Sequence, residues 1–223
     1  MKKIFVIMTV LLAITFSMKA QSDQKLHFGL KAAPSLVWLS TDSKGFASDG
    51  TKLGFGYGLI TEFKFADHYA FATGIDVNYR GGKLKSSSTL GNTTTVISSS
   101  NNLEYIEIPI TLKLKTNEIG YFTYYLQAGL APGLNIRARA DVSTSTQVAG
   151  AQTQTTSEDG VDIKDNINSF NLSMILGGGV EYTLSGSTVL LAGITFNNGF
   201  LDVSSGDDKT NSNVLALTIG VLF

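Results

Sequence analysis

The sequence predicts an all-β protein, an eight-stranded antiparallel up-and-down transmembrane β-barrel. Three observations lead to this fold class. Apolar and polar residues alternate in eight separate segments, and no stretch after residue 20 keeps an apolar 3.6-residue period. The connections between these segments are alternately short and long. The chain has 23 glycines but three prolines, together with many Ser, Thr and aromatic residues, which favours strands and turns over helices.

The first twenty residues predict a signal peptide. Two lysines precede an apolar run over residues 4–13, which is too short to cross a bilayer because a helical span needs about 20 apolar residues. We expect cleavage after Ala20, although Met18 stands where a small residue is usual, and an uncleaved anchor is the alternative. The predicted organisation is therefore a signal peptide over residues 1–20 and one barrel domain over residues 21–223.

The first three predicted strands cover residues 26–39, 52–65 and 69–80. In each of them, Leu, Phe, Tyr or Trp residues occupy one face, and Gly, small or charged residues occupy the other. Successive strand residues point to opposite sides of a sheet, so this pattern gives each strand one apolar and one polar face.

The fourth and fifth predicted strands cover residues 105–115 and 121–139. Five aliphatic residues form the apolar face of the fourth strand, which contains Pro109. Because proline cannot donate to the sheet, we expect a bulge or another irregularity there. The alternation of the fifth strand predicts a single register along its whole length.

The last three predicted strands cover residues 168–184, 188–201 and 213–223, which brings the total to eight. Short connections lie at residues 66–68, 116–120 and 185–187, and long ones at 40–51, 84–102, 140–167 and 202–212. Short turns at one end and long polar loops at the other are typical of outer-membrane barrels, with the short turns in the periplasm. We therefore expect both chain ends on the periplasmic side and the long loops outside the cell.

Alternation alone does not decide which face meets lipid, because a soluble lipocalin-like barrel also alternates. The polar phase combines glycines with charges, as a narrow lumen requires, and we expect the following charged residues to line it: Lys31, Glu62, Lys64, Asp76, Arg80, Glu107, Lys113, Arg137, Arg139 and Glu181. Aromatic residues of the apolar phase fall near both strand ends, which predicts two membrane-interface girdles. Ordinary strand enrichment in aromatics is the alternative. We expect pairing of the charges in a filled lumen, with a transport path as the alternative.

Three segments resemble the PorT-like outer-membrane β-barrel family of Bacteroidetes-type bacteria. Residues 28–35 (Phe-Gly-Leu-Lys-Ala-Ala-Pro-Ser) are similar to its opening strand, with Ala33 in place of the usual glycine. Residues 105–113 (Tyr-Ile-Glu-Ile-Pro-Ile-Thr-Leu-Lys) resemble its more specific inner motif. The closing residues 219–223 (Ile-Gly-Val-Leu-Phe) are similar to the terminal aromatic signal that the barrel-assembly machinery reads, with Phe223 as that signal. The resemblance implies a small OmpA/OmpX-like barrel in the cell outer membrane. The secretion role of the member that names the family does not transfer to this chain.

Composition argues against several function classes. The absence of cysteine excludes disulfides, thiol catalysis and thiolate metal sites, and a net charge of −1 without a basic cluster argues against nucleic acid. We expect no cofactor, and acidic residues in the loops lack calcium-loop spacing, so solvated carboxylates are preferred over cation binding. Because both histidines, His27 and His68, fall at the periplasmic end, we also expect no enzymatic activity.

Two functions remain open at this point. The preferred one is a closed barrel with a structural or interaction role in the cell envelope, whose external loops engage an envelope or extracellular partner. The alternative is a small porin-like pore for ions or small solutes. Strand number favours the first, because eight strands leave an interior that side chains can fill. The expected partners are outer-membrane lipid and the barrel-assembly machinery.

Overall fold

The computed structural model describes residues 25–42, 45–206 and 209–223, and the signal peptide predicted for residues 1–20 lies outside them. A 3-10 turn covers Lys164–Asn166. The strands are β1 (Leu26–Thr41), β2 (Ala47–Ser48), β3 (Lys52–Ala66), β4 (Tyr69–Leu90), β5 (Thr93–Glu107), β6 (Ile110–Lys115), β7 (Phe122–Val148), β8 (Gln154–Asp162), β9 (Phe170–Ser185), β10 (Thr188–Gly199) and β11 (Thr210–Leu222). Among the described residues, no helix is long and apolar enough to cross a membrane.

All strand pairs are antiparallel and form a ring of eight wall positions. Strands β1, β3 and β4 follow one another, β5 and β6 share the fourth position, and β7, β9, β10 and β11 complete the wall. The ring closes where β11 pairs with β1, for example Leu30 opposite Val221. This closure pairs the two end strands of the sheet, β1 and β11, with each other. The predicted fold class is confirmed.

The fourth wall position is interrupted at Pro109, as the sequence predicts. Strand β5 ends at Glu107 and β6 begins at Ile110, and both pair with β4 and β7 on either side of the break. At the break, the backbone N–H of Ile108 donates to the carbonyl of Pro132 at 2.9 Å. The wall therefore remains connected across the irregularity.

Two of the predicted long loops are mostly paired strand, so the prediction of irregular loops at residues 84–102 and 140–167 is wrong. Strands β4 and β5 continue as a hairpin up to a two-residue turn, where Gly91 has a φ of 60° that suits glycine. Strand β7 likewise continues to Val148 and pairs with β8. Backbone hydrogen bonds hold these hairpins together. Such bonds do not require alternating apolar residues, so the sequence pattern did not reveal these strands.

The two faces of the wall differ in the sense that the alternation predicts. Large apolar side chains point outward, and Leu217 on β11 is 49% exposed. Lys113 on β6, by contrast, points inward and is 0% exposed. Aromatic rings pair on the outer surface near both ends of the barrel: Trp38 with Phe196, Phe65 with Tyr69, and Phe122 with Tyr182. This surface has the apolar band and aromatic girdles that suit a bilayer.

Candidate functional site in the barrel lumen

Four charged side chains form a network in the half of the lumen that lies toward the short turns. The Lys113 ammonium donates to Glu62 and to Glu181, each at 2.7 Å. Lys115 donates to Glu181 at 2.7 Å and also to Glu62. The Lys113 Nζ atom lies 4.2 Å from the centroid of the Tyr125 ring, within the range of a cation–π interaction. Two cations thus balance two anions, and Lys113 and Glu62 are almost fully buried while the Lys115 side chain is 14% exposed.

Glycines on neighbouring strands make room for this network. A Cβ atom on Gly179 would lie 2.7 Å from the Tyr125 hydroxyl oxygen, and one on Gly193 would lie 2.3 Å from it. Side chains at these positions would collide with the ring that packs on Lys113. The glycine content of the inward face therefore follows from the width of an eight-stranded barrel, whose interior holds few long side chains.

A second charge pair crosses the middle of the lumen. The Arg80 guanidinium binds Glu107 with two nitrogens, Nε at 2.8 Å from Oε1 and Nη2 at 3.0 Å from Oε2. Asn78 donates to the same carboxylate at 2.6 Å, and Nη2 also donates to Ser173 at 3.2 Å. The Nη2–Oε2 contact is a charge-assisted hydrogen bond, which is stronger than a neutral one, and Nε adds an ion-pair contact. Together these contacts join β4, β5 and β9 across the interior.

A small cavity lies beside these charges. Its volume is about 70 Å³, and Lys31, Asp76, Arg80 and Glu107 are among the residues that line it. Lys31 Nζ is 2.8 Å from Asp76 Oδ2. One water needs about 10–15 Å³, so the cavity has room for a few water molecules.

An apolar layer separates the charged lumen from the end of the barrel that carries the long hairpins. Leu103 and Tyr105 are the inward residues of β5 that precede Glu107 in the chain, and they are 1% and 0% exposed. They pack with Ala138 and Val203, and the layer is completed by half-buried Ile163 and Ile167. No charged residue belongs to this cluster in the part of the chain that the structure describes.

Three predicted lumen charges lie elsewhere. Lys64 is exposed near the end of β3, beside the short turn to β4. Arg137 and Arg139 lie on the outer face of β7, where Arg137 Nη1 is 3.1 Å from Glu104 Oε1. A β-bulge is the reason: Glu104 pairs with Arg137 and Tyr105 with Asn135, so the residue between them on β7 has no partner. One unpaired residue exchanges the inward and outward phases beyond it.

The closed wall and polar lumen agree with the family that the sequence matches. The family model described as outer membrane protein beta-barrel domain matches residues 19–214, which is most of the chain. The chain belongs to this outer-membrane β-barrel family. The protein is therefore an outer-membrane protein. A search among curated protein sequences finds no match.

Several solved barrels are similar to this outer-membrane barrel. Neisserial surface protein A is 14% identical, with 90% of this chain and 98% of that chain covered and a TM-score of 0.46. OprG from Pseudomonas aeruginosa is 13% identical, with 92% and 99% covered and a TM-score of 0.41. The attachment invasion locus protein of Yersinia pestis, in complex with the heparin analogue sucrose octasulfate, is 14% identical, with 90% and 100% covered and a TM-score of 0.37.

The lumen of this outer-membrane barrel contains partners that the sequence analysis did not select. Lys115, Asn78, Ser173 and Tyr125 all contact the predicted charges. Each lies at an inward position of its strand, so the alternation pattern could have identified it as a lumen residue. Tyr125 was hidden because aromatic residues in these strands are mostly outward.

Phe223 and His68 lie at the short-turn end of the outer-membrane barrel. The Phe223 backbone exchanges hydrogen bonds with Phe28 at 2.7 and 3.2 Å, which ties the chain end to β1. His68 lies in the turn between β3 and β4, with Nδ1 3.1 Å from the Lys115 carbonyl oxygen. Within residues 25–42, 45–206 and 209–223, no three His, Asp or Glu side chains come together as metal ligands would.

Proposed function

We propose that this protein is a closed outer-membrane barrel with a structural or interaction role, and that its extracellular hairpins engage the surroundings or another envelope component. The observation that carries the proposal is the burial of inward side chains at successive levels of the lumen. Lys113 is 0% exposed, and Glu107 and Leu103 are each 1% exposed. Side chains that line a water-filled pore are wetted by the water inside it, and these are not.

The pairing of the lumen charges supports the same proposal. Glu62, Glu181, Glu107 and Asp76 each have a cation within 2.8 Å. An ion that passed through the lumen would have to separate these pairs, and breaking one buried pair costs about 3–5 kcal/mol. The charges therefore serve to join strands of the wall, and the small residual cavity leaves no room for a hydrated solute.

Planar-bilayer conductance of the refolded protein tests the proposal. We expect no discrete conductance steps from the wild-type barrel, whereas the double variant R80A/E107A, which removes the central pair, gains water-filled space and serves as an opened comparison. A gel shift between unheated and boiled samples verifies that each preparation is a folded barrel. Regular single-channel steps from the wild-type protein, with an ion selectivity that Lys113→Gln changes, would establish the porin-like alternative instead.

We propose no enzymatic activity for this barrel. The family subgroup and the assembly signal proposed here rest on the sequence motifs. His68 lies in a short turn and His27 at the start of β1, so both histidines are at the periplasmic end, away from the hairpins. Residues 105–113 support placement of the chain in the PorT-like, Bacteroidetes-type group of the family. We propose that the barrel-assembly machinery recognises the last strand through Phe223, and that lipid of the outer membrane surrounds the apolar band.

A further inference from the structure

A second cavity lies above the apolar layer, at the extracellular end of the barrel. Its volume is about 290 Å³. The β4–β5 hairpin contributes Leu84 and Ile97, and β7 contributes Val142. Leu103 and Val203, which belong to the apolar layer, also line it and form its floor. The cavity is therefore a cup that opens outward and is closed toward the lumen.

The walls of the cup are apolar although the hairpins stand outside the hydrocarbon band. Leu84, Ile97 and Val142 lie on the inward faces of the hairpins, and each is half-buried. Their outward neighbours Lys85 and Ser143 do not line the cavity. If these side chains only formed a core, they would pack against one another and leave no cavity. Here they surround a cavity instead. Apolar surface arranged around an unfilled space is typical of a ligand pocket.

The chemistry of the lining restricts the ligand. Among the residues that the structure describes, no charged side chain lines the cavity, and its polar residues carry hydroxyl or amide groups. One pair of them is already joined, with the Ser99 hydroxyl donating to Asn101 Oδ1 at 2.9 Å. A charged ligand would lose its hydration here without gaining a counterion, which is costly. A neutral molecule with one or two hydrogen-bonding groups meets no such penalty.

The size of the cavity sets the size of the ligand. A cavity of about 150 Å³ lined by apolar side chains binds benzene. The cavity of this barrel, at about 290 Å³, is close to twice as large and fits a molecule of about two fused rings. Paired backbones hold the hairpin walls in place, so little ordering is required when the ligand enters.

We propose that the cup at the extracellular end binds a small, uncharged, largely apolar molecule of about two rings with a single hydrogen-bonding group. This inference goes beyond the structural role proposed above, because it assigns a ligand site to the barrel. The apolar floor stops the ligand from passing into the charged lumen. The cup is thus a binding site and not the entrance of a channel.

Titration of 1-naphthol into the barrel in phosphatidylcholine nanodiscs, followed by amide NMR, tests the inference. We expect saturable shifts at Ile97 and Val142, and binding of 1-naphthoate, which carries a carboxylate, weaker by at least about tenfold because its charge has no partner. Val142→Phe fills the cup and should weaken naphthol binding by about tenfold or more, whereas Ser143→Phe, on the other face of the same strand, should not.

Leu84→Asp and its control Lys85→Asp repeat the comparison on the other hairpin, in case Val142→Phe disturbs β7. Leu84→Asp should weaken naphthol binding, because it places a carboxylate in the cup, whereas Lys85→Asp should not. Shifts that rise without saturation, or that occur only at lipid-facing residues, would show simple partition into the nanodisc and overturn the inference. Equal binding of naphthol and naphthoate, or unchanged binding by both inward variants, would also overturn it. These outcomes do not depend on conductance, so the ligand site and the closed lumen can fail separately.

Discussion

Replacement of Lys113 with Met tests whether its network with Lys115, Glu62 and Glu181 stabilises the barrel. The change keeps most of the side-chain length and removes the ammonium, which donates to Glu62 and Glu181 at 2.7 Å each. A hydrogen bond to a charged group contributes about 1.5–3 kcal/mol, so two of them give about 3–6 kcal/mol. The loss of one partner from a buried ion pair costs about 3–5 kcal/mol, and we expect a decrease of that size in the unfolding free energy.

The assay is urea unfolding and refolding in phosphatidylcholine vesicles, followed by the fluorescence of Trp38. Lys64→Met is the control, because Lys64 is exposed at the end of β3 and surface changes of this kind stay within about 0.5 kcal/mol. The double variant K113M/E181Q restores charge balance, since Lys115 then faces Glu62 alone, and should cost about 1–3 kcal/mol less than the sum of the single changes. If Lys113→Met costs no more than Lys64→Met, the reasoning about the network is wrong.

Two further predictions concern the faces and the orientation of the barrel. Leu217→Arg places a cation on the lipid-facing surface and should destabilise the barrel by about 2–4 kcal/mol in the same assay, whereas Val148→Arg, at the tip of a hairpin, should change stability by less than about 0.5 kcal/mol. Equal costs would place the apolar band elsewhere. A cysteine at Thr153 should react with a membrane-impermeant thiol reagent on whole cells, and one at Asn117 only after lysis; the opposite pattern would invert the topology.

The period-two pattern predicted the wall strands because each pairs an apolar outer face with a polar inner face. The hairpins were not predicted, because their strands lack this contrast between the two faces. Where Thr95 faces Thr146 and Ser98 faces Ser143, both faces of the ladder are polar, so no contrast marks the strand. Backbone pairing, which a sequence displays only through its side chains, decides the structure there.

The charges of the lumen were predicted where the register is regular and misplaced where it is not. Asn135, Arg137 and Arg139 alternate with apolar neighbours as though one phase continued, but the bulge at Ile136 moves both arginines outward. A bulge needs one extra residue and no particular composition, so the sequence does not mark it. The apolar cup above Leu103 was not predicted either, because its walls come from segments interpreted as loops.

The paired hairpins above the membrane also bear on how this surface can evolve. Their shape depends on backbone N–H and C=O groups, which every residue except proline supplies in full. Outward positions such as Ser87 and Ser98 can therefore accept other side chains while the strands stay in place. Inward positions such as Ile97 are restricted by the cup they line. Substitutions on the outward face can then change the surface of the hairpins and leave the architecture beneath it unchanged.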